Sequence, residues 1–125
     1  MKKLQTTLTA CAVLLCLAGC GPKIADTKTE TGIDKNDLRS LTYDALTQDY
    51  ELNVEYRSTA SVVTLGIFKK VDVPVLEQLD MKKALTTSTA REGKLVQKIQ
   101  KGTAVTVVIT GAETKSDVWT KIWSK

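Results

Sequence analysis

Residues 95–123, LVQKIQKGTAVTVVITGAETKSDVWTKIW, carry the pattern that decides the fold class. Leu95–Ile99, Thr103–Thr110 and Val118–Trp123 are three short runs rich in β-branched and aromatic residues, and Gly102 and Gly111 bracket the middle one. Such side chains suit a pleated, half-buried surface, and glycine supplies the backbone conformations of tight turns. Short strands repeating about every ten residues predict a small antiparallel barrel or sandwich.

Upstream, Leu52, Val54 and Tyr56 alternate with Glu51, Asn53 and Glu55, which predicts a strand with one face to solvent. Ser61–Phe68 is a second strand, apolar throughout. Val71, Val73 and Val75 alternate with Asp72 and Pro74, and a proline donates no ladder hydrogen bond, so this run reads as an edge strand or a bulge. Leu38, Leu41, Ala45 and Leu46 recur at helical spacing with Asp34 or Asn36 as N-cap, predicting a short helix over about 37–48. Thr42 and Tyr43 fit a strand there equally well. Residues 21–35, GPKIADTKTETGIDK, are dominated by Thr, Lys, Asp, Glu and Gly and read as a flexible tether, roughly 20 Å in mean extent. The expected class is mostly β, with a short N-terminal helix after the tether.

The chain opens with Met1-Lys2-Lys3 and an apolar stretch, Thr9 to Ala18, far short of the ~20 residues that span a bilayer. Residues 1–19 therefore read as a secretory leader. Its end, Leu17-Ala18-Gly19-Cys20, resembles the lipobox of bacterial lipoproteins. The resemblance implies a diacylglyceryl group on the Cys20 thiol, cleavage before it and acylation, palmitate included, of the new amino terminus. Two or three acyl chains hold a protein durably where one does not. Cys11 and Cys16 leave with the leader, so no disulfide is expected. Gly21, in place of aspartate, implies the periplasmic face of the outer membrane in a Gram-negative host. In a Gram-positive host the same anchor implies the outer face of the plasma membrane.

Residues 81–125 resemble a bacterial SH3-type (SH3b) domain. The stations are Leu85-Thr86-Thr87-Ser88, Lys94–Ile99, Lys101-Gly102-Thr103-Ala104-Val105-Thr106-Val107 and Trp119-Thr120-Lys121-Ile122. The resemblance implies an SH3-like barrel that binds peptidoglycan or another envelope protein. A shift of 32 residues pairs Val63 with Leu95, Ile67 with Ile99, Lys69 with Lys101 and Val73 with Val105. Two organisations stay open: residues 37–80 are a degenerate first copy, or they add strands to one barrel. Residues 20–36 are the lipidated cysteine and tether in either case.

Nine Lys/Arg against three Asp/Glu make residues 81–125 basic, whereas residues 21–60 carry five against eight. Lys94, Lys98, Lys101 and Lys121 are the candidate polyanion contacts, or else belong to the solvated lysine face of the barrel. On the SH3b pattern Trp119 closes the core, while Trp123, nearly terminal, is either an exposed aromatic that stacks on a partner or a cap on the barrel end. The chain has no histidine, which removes Ser-His-Asp and Cys-His catalysis and His-ligated zinc. No phosphate loop, metal-ligand spacing or cofactor fingerprint occurs. The reading is a non-enzymatic, lipid-anchored envelope module without cofactor, metal or nucleic acid. Its competitor is a protective lipoprotein that excludes phage or plasmid or inhibits a foreign hydrolase.

Overall fold

A computed structural model describes residues 7–9 and 23–125. The leader's apolar core, the lipobox and Cys20 lie outside the described residues. Among the described residues nine strands occur, β1 Thr7–Thr9, β2 Ala25–Ile33, β3 Leu38–Tyr43, β4 Tyr50–Ser58, β5 Val63–Lys69, β6 Thr86–Ala90, β7 Glu92–Ile99, β8 Val105–Thr110 and β9 Ser116–Ser124. They form two sheets with the orders β1-β3-β8-β5-β6 and β2-β9-β4-β7. All pairings are antiparallel except the parallel contact of β1 with β3. The mostly-β, antiparallel expectation holds.

The core lies between the sheets. β4 sends Tyr50, Leu52, Val54 and Tyr56 inward, β9 sends Val118 and Ile122, and these meet Leu41, Tyr43, Val63, Leu65, Ile67, Val105, Val107 and Ile109 of the first sheet. β8 is buried on both faces, which explains its unbroken run of β-branched residues. Outside β5 the chain folds into three 3₁₀ turns, Lys70–Asp72, Leu76–Gln78 and Met81–Lys83. Met81 reaches β5 at Gly66, beside the fully buried Phe68. A methyl group at Gly66 would stand 2.8 Å from the Phe68 ring, so a glycine is required for the ring to lie there.

Four expectations are corrected. The Val71–Val75 run is not a strand: the Val73 N–H closes a turn on Lys70 O at 3.0 Å, Pro74 follows it, and Val71 and Val75 are exposed. The helix over 37–48 is replaced by β3, because pairing with β8 buries Leu41 and Tyr43 on one face, which a strand's two-residue period provides. Asp34 does cap, but it caps the turn between β2 and β3, accepting from the Asn36 N–H at 2.8 Å.

The tether is the third correction, since Ala25–Ile33 is a strand in register with β9, Ala25 opposite Trp123 and Glu30 opposite Val118. Ile24 and Ile33 pin its two ends in the core. Gly32, at φ +66°, forms the bulge before Ile33 and donates its N–H to Asp117 Oδ1 at 3.0 Å. Fewer residues than the expected tether thus separate Cys20 from β2, which begins at Ala25.

Finally, residues 81–125 do not close a barrel of their own. β6 pairs with β5, β7 with β4, β8 with β3 and β5, and β9 with β2 and β4. Every strand of the last third is laddered to the first two thirds, so neither half buries its apolar face alone. Val63 and Leu95, equivalent under the 32-residue shift, lie in different sheets.

Candidate functional site

The outward side of the second sheet is the candidate binding face. Its make-up follows from strand parity. Along β9 the even positions Val118, Thr120 and Ile122 are buried, so Asp117, Trp119, Lys121 and Trp123 point outward. Cross-strand register sets Asn53 beside Trp123, Glu55 beside Lys121 and Arg57 beside Trp119. β7 continues the rows with Val96 opposite Asn53, Lys94 opposite Glu55 and Glu92 opposite Arg57.

Both indoles are held by cations. The Arg57 guanidinium lies 5.3 Å from the centre of the Trp119 ring, and Lys94 Nζ and Lys121 Nζ each lie 5.3 Å from that of Trp123. Attraction of a cation to the indole quadrupole fixes long side chains that would otherwise sweep through solvent. Asn53 is only 2% exposed although it sits on this outer side, flanked by Trp123 and Val96. Val96, by contrast, is 44% exposed, an apolar patch next to the aromatic.

Charge on the face is mixed rather than purely basic. Glu51, Glu55 and Glu92 alternate with Arg57, Lys94, Lys98 and Lys121. Yet the two ion pairs within 4 Å among the described residues are both made by Arg39, with Glu30 at 3.0 Å and Asp37 at 3.7 Å. Arg57, Lys94, Lys98 and Lys121 are therefore free of tight carboxylate contacts among the described residues and available to a partner. Beside Trp119 the face deepens into an open groove of about 420 Å³ lined by Arg57, Ser58, Arg91, Glu92 and Asp117, among others. Arg91 is steadied by donating to Thr59 O at 3.2 Å, and the buried Ser58 Oγ has no partner among the described residues.

The opposite edge of this sheet is structural. Arg39 of β3 reaches across to Glu30 and to Thr31 O, and the Tyr43 hydroxyl donates to Asp26 Oδ2 at 2.8 Å. Burial, reinforced by that carboxylate, holds the Tyr43 phenol protonated far above its ordinary range. Burial alone pushes Tyr50 up to about 12.

Of the residues singled out in the sequence, Trp123, Lys94 and Lys121 come together. Lys98 stands on the same face at its far end, opposite Glu51. Lys101 does not join them: it lies in the turn after β7, its backbone N–H donating to Asp49 Oδ1 at 2.8 Å. Trp119 is corrected from core to surface. The parity of Val118 and Ile122 carries that signal, because both tryptophans fall on the alternate face. Arg57, Arg91 and Val96 are additions that local sequence does not mark.

No protein-family model and no curated protein matches the chain. Among solved structures it is similar to the pre-peptidase C-terminal domain of a collagenase from Bacillus anthracis. That likeness has a TM-score of 0.63 at 6% identity, over 96% of this chain and 97% of that one. It is also similar to PliG of Aeromonas hydrophila, a periplasmic inhibitor of g-type lysozyme. There the TM-score is 0.58 at 9% identity, over 96% of this chain and 100% of the other. At such identities the likeness is one of fold.

Proposed function

We propose that the protein is a lipid-anchored binding module of the bacterial cell envelope, held at the membrane through Cys20. Its partner is peptidoglycan or another envelope protein, met by the outward face of the second sheet. One observation carries the reading: Trp119 and Trp123 stand on that face with Arg57, Lys94 and Lys121 packed on their rings. A solvated sheet face is ordinarily polar. Large amphipathic aromatics beside arginine are what binding hot spots are made of. The membrane is the outer one, periplasmic side, in a Gram-negative host, and otherwise the outer face of the plasma membrane.

Co-sedimentation of the detergent-solubilised full chain with purified sacculi tests the partner. Pelleting that survives 0.5 M salt is expected if the indoles make the contact, because apolar stacking is not screened while lysine–polyanion attraction is. Pelleting that vanishes with salt reduces the face to a polyanion sink and sinks the reading for peptidoglycan. Absence of pelleting directs the search to a protein, by cross-linking from Val96. The anchor is tested separately: Cys20→Ser is expected to abolish incorporation of labelled palmitate, and retained label would refute lipidation at this residue.

A second reading is supported by the fold likeness to a lysozyme inhibitor over nearly the whole of both chains. In it the same face, or the groove at Trp119, occludes a foreign hydrolase. Inhibition of a g-type lysozyme by the full chain distinguishes the two.

A further inference from the structure

The lysines of the basic third do not make one surface. Lys94 and Lys121 attend Trp123, whereas Lys98 and Lys101 belong to the end of the sandwich where the chain enters β2. That end is laced together by backbone and side-chain bonds: Ile24 N–H to Ser124 Oγ at 2.9 Å, Gly102 N–H to Leu46 O at 2.9 Å and Lys70 N–H to Ala104 O at 2.9 Å. Around it stand Lys23, Lys69, Lys70, Lys98, Lys101 and Lys125, all exposed. The acids at the same end are Asp26, Asp44, Asp49, Glu51 and Asp72, of which Asp26 accepts from the Tyr43 hydroxyl and Asp49 is engaged by the Lys101 N–H. None of the six ammonium groups has a carboxylate within 4 Å among the described residues. At the other end Lys35, Arg91 and Lys115 are matched by Asp34, Glu92, Glu113 and Asp117, so the two ends differ in sign.

We infer that this lysine rim is a lipid-facing surface that seats the domain on the anionic headgroups of the leaflet holding its anchor. The inference rests on lipidation of Cys20, and it follows from β2 being a strand. Three residue steps separate Cys20 from Lys23, which at full extension is about 10 Å. The Debye length at physiological ionic strength is about 8 Å. A domain on a 20 Å tether would spend most of its time outside the field of the headgroups; this short stem keeps the entry end within little more than one Debye length of them. Juxtamembrane lysines are drawn to anionic leaflets, and six against five carboxylates is enough to bias orientation on the order of fivefold. So seated, the strands rise from the membrane. The tryptophan face then looks sideways, and the groove at Trp119 is at the end farthest from the lipid.

The anchored full chain tests this. With the leader removed, Cys11 and Cys16 going with it, and Cys20 acylated, a new cysteine is a unique thiol, placed as Gln100→Cys at the rim or Glu113→Cys at the other end, and labelled with a fluorophore. The chain is reconstituted in vesicles of phosphatidylcholine with 30% phosphatidylglycerol, containing headgroup-spin-labelled lipid as quencher. At least threefold stronger quenching at position 100 than at 113 is expected, collapsing in the Lys69→Glu/Lys98→Glu/Lys125→Glu variant. Equal quenching at both positions, or a contrast indifferent to the charge reversals, overturns the seat while leaving the anchor intact. Failure of the chain to float with the vesicles overturns the anchor and the seat together.

Discussion

Deleting residues 24–33 is expected to abolish cooperative folding, whereas removal of a true tether would leave stability untouched. Ile24 and Ile33 are both in the core, and losing a buried isoleucine costs about 2–5 kcal/mol. The deletion also strips the ladder partner from β9, from Ala25↔Trp123 to Ile33↔Ser116. It takes Glu30 from Arg39, whose buried Nε already lacks a partner. Asp37 stays with Arg39 at 3.7 Å, so the loss of this pair is the smaller share of the effect. Together these reach the whole net stability of an ordinary domain, about 5–15 kcal/mol. Urea denaturation followed by circular dichroism should show a sharp transition for the parent chain and none for the deletion. A transition at the same midpoint in both would mean that β2 is dispensable. Ile33→Ala is the milder companion and should lower the midpoint while keeping the transition cooperative.

That result would also locate what sequence reading could and could not reach. Where alternation was unambiguous the elements are right: β4, β5, β7, β8 and β9 lie where their apolar and β-branched runs placed them. β2 escaped because its stabilisation is remote. Its own composition is polar, with threonines outward and Asp26 and Glu30 directed to partners on β3. The marks of a strand were Ile24 and Ile33 at its two ends, which matter only once the far end of the chain supplies β9. β3 was ambiguous for a related reason: Leu38, Leu41, Ala45 and Leu46 satisfy a helical period on paper, but of these only Leu41 is fully buried in the core, where it is joined by Tyr43 of the strand alternative. Pairing over large sequence separations is not written in local periodicity.

The binding face was legible in part for the same reason. Trp123, Lys94 and Lys121 were named from the basic third, and cross-strand register brought them together. Trp119 was assigned inward by family resemblance against its own parity. Arg57 comes from a strand more than sixty positions earlier and reaches Trp119 only through the β4–β9 pairing. The lysines sorted themselves into face and rim only when the turns at the chain's entry end were assembled.

The combined change Trp119→Ala/Trp123→Ala is expected to leave the fold standing while removing most of its affinity. Each indole lies outside the core, so what stability loses is cross-strand packing and a cation–π contact, about 1 kcal/mol apiece. The Arg57 and Lys94 side chains are then released to solvent, which costs nothing further in burial. Binding is affected far more. An interface aromatic of this kind contributes 2 kcal/mol or more, about thirtyfold in dissociation constant. The two rings are four residues apart on one strand, a separation of about 13 Å, far enough for their effects to add. The double variant should thus bind sacculi, or the cross-linked protein partner, several hundredfold more weakly, with each single variant near thirtyfold. Arg57→Ala should reproduce part of the Trp119 effect, since the guanidinium and the ring present one composite surface. Thermal melts beside the binding isotherms separate the two quantities. A double variant that melts like the parent and binds like it would remove the face from the function altogether, and the groove at Arg91 and Ser58 would then be the surface to probe.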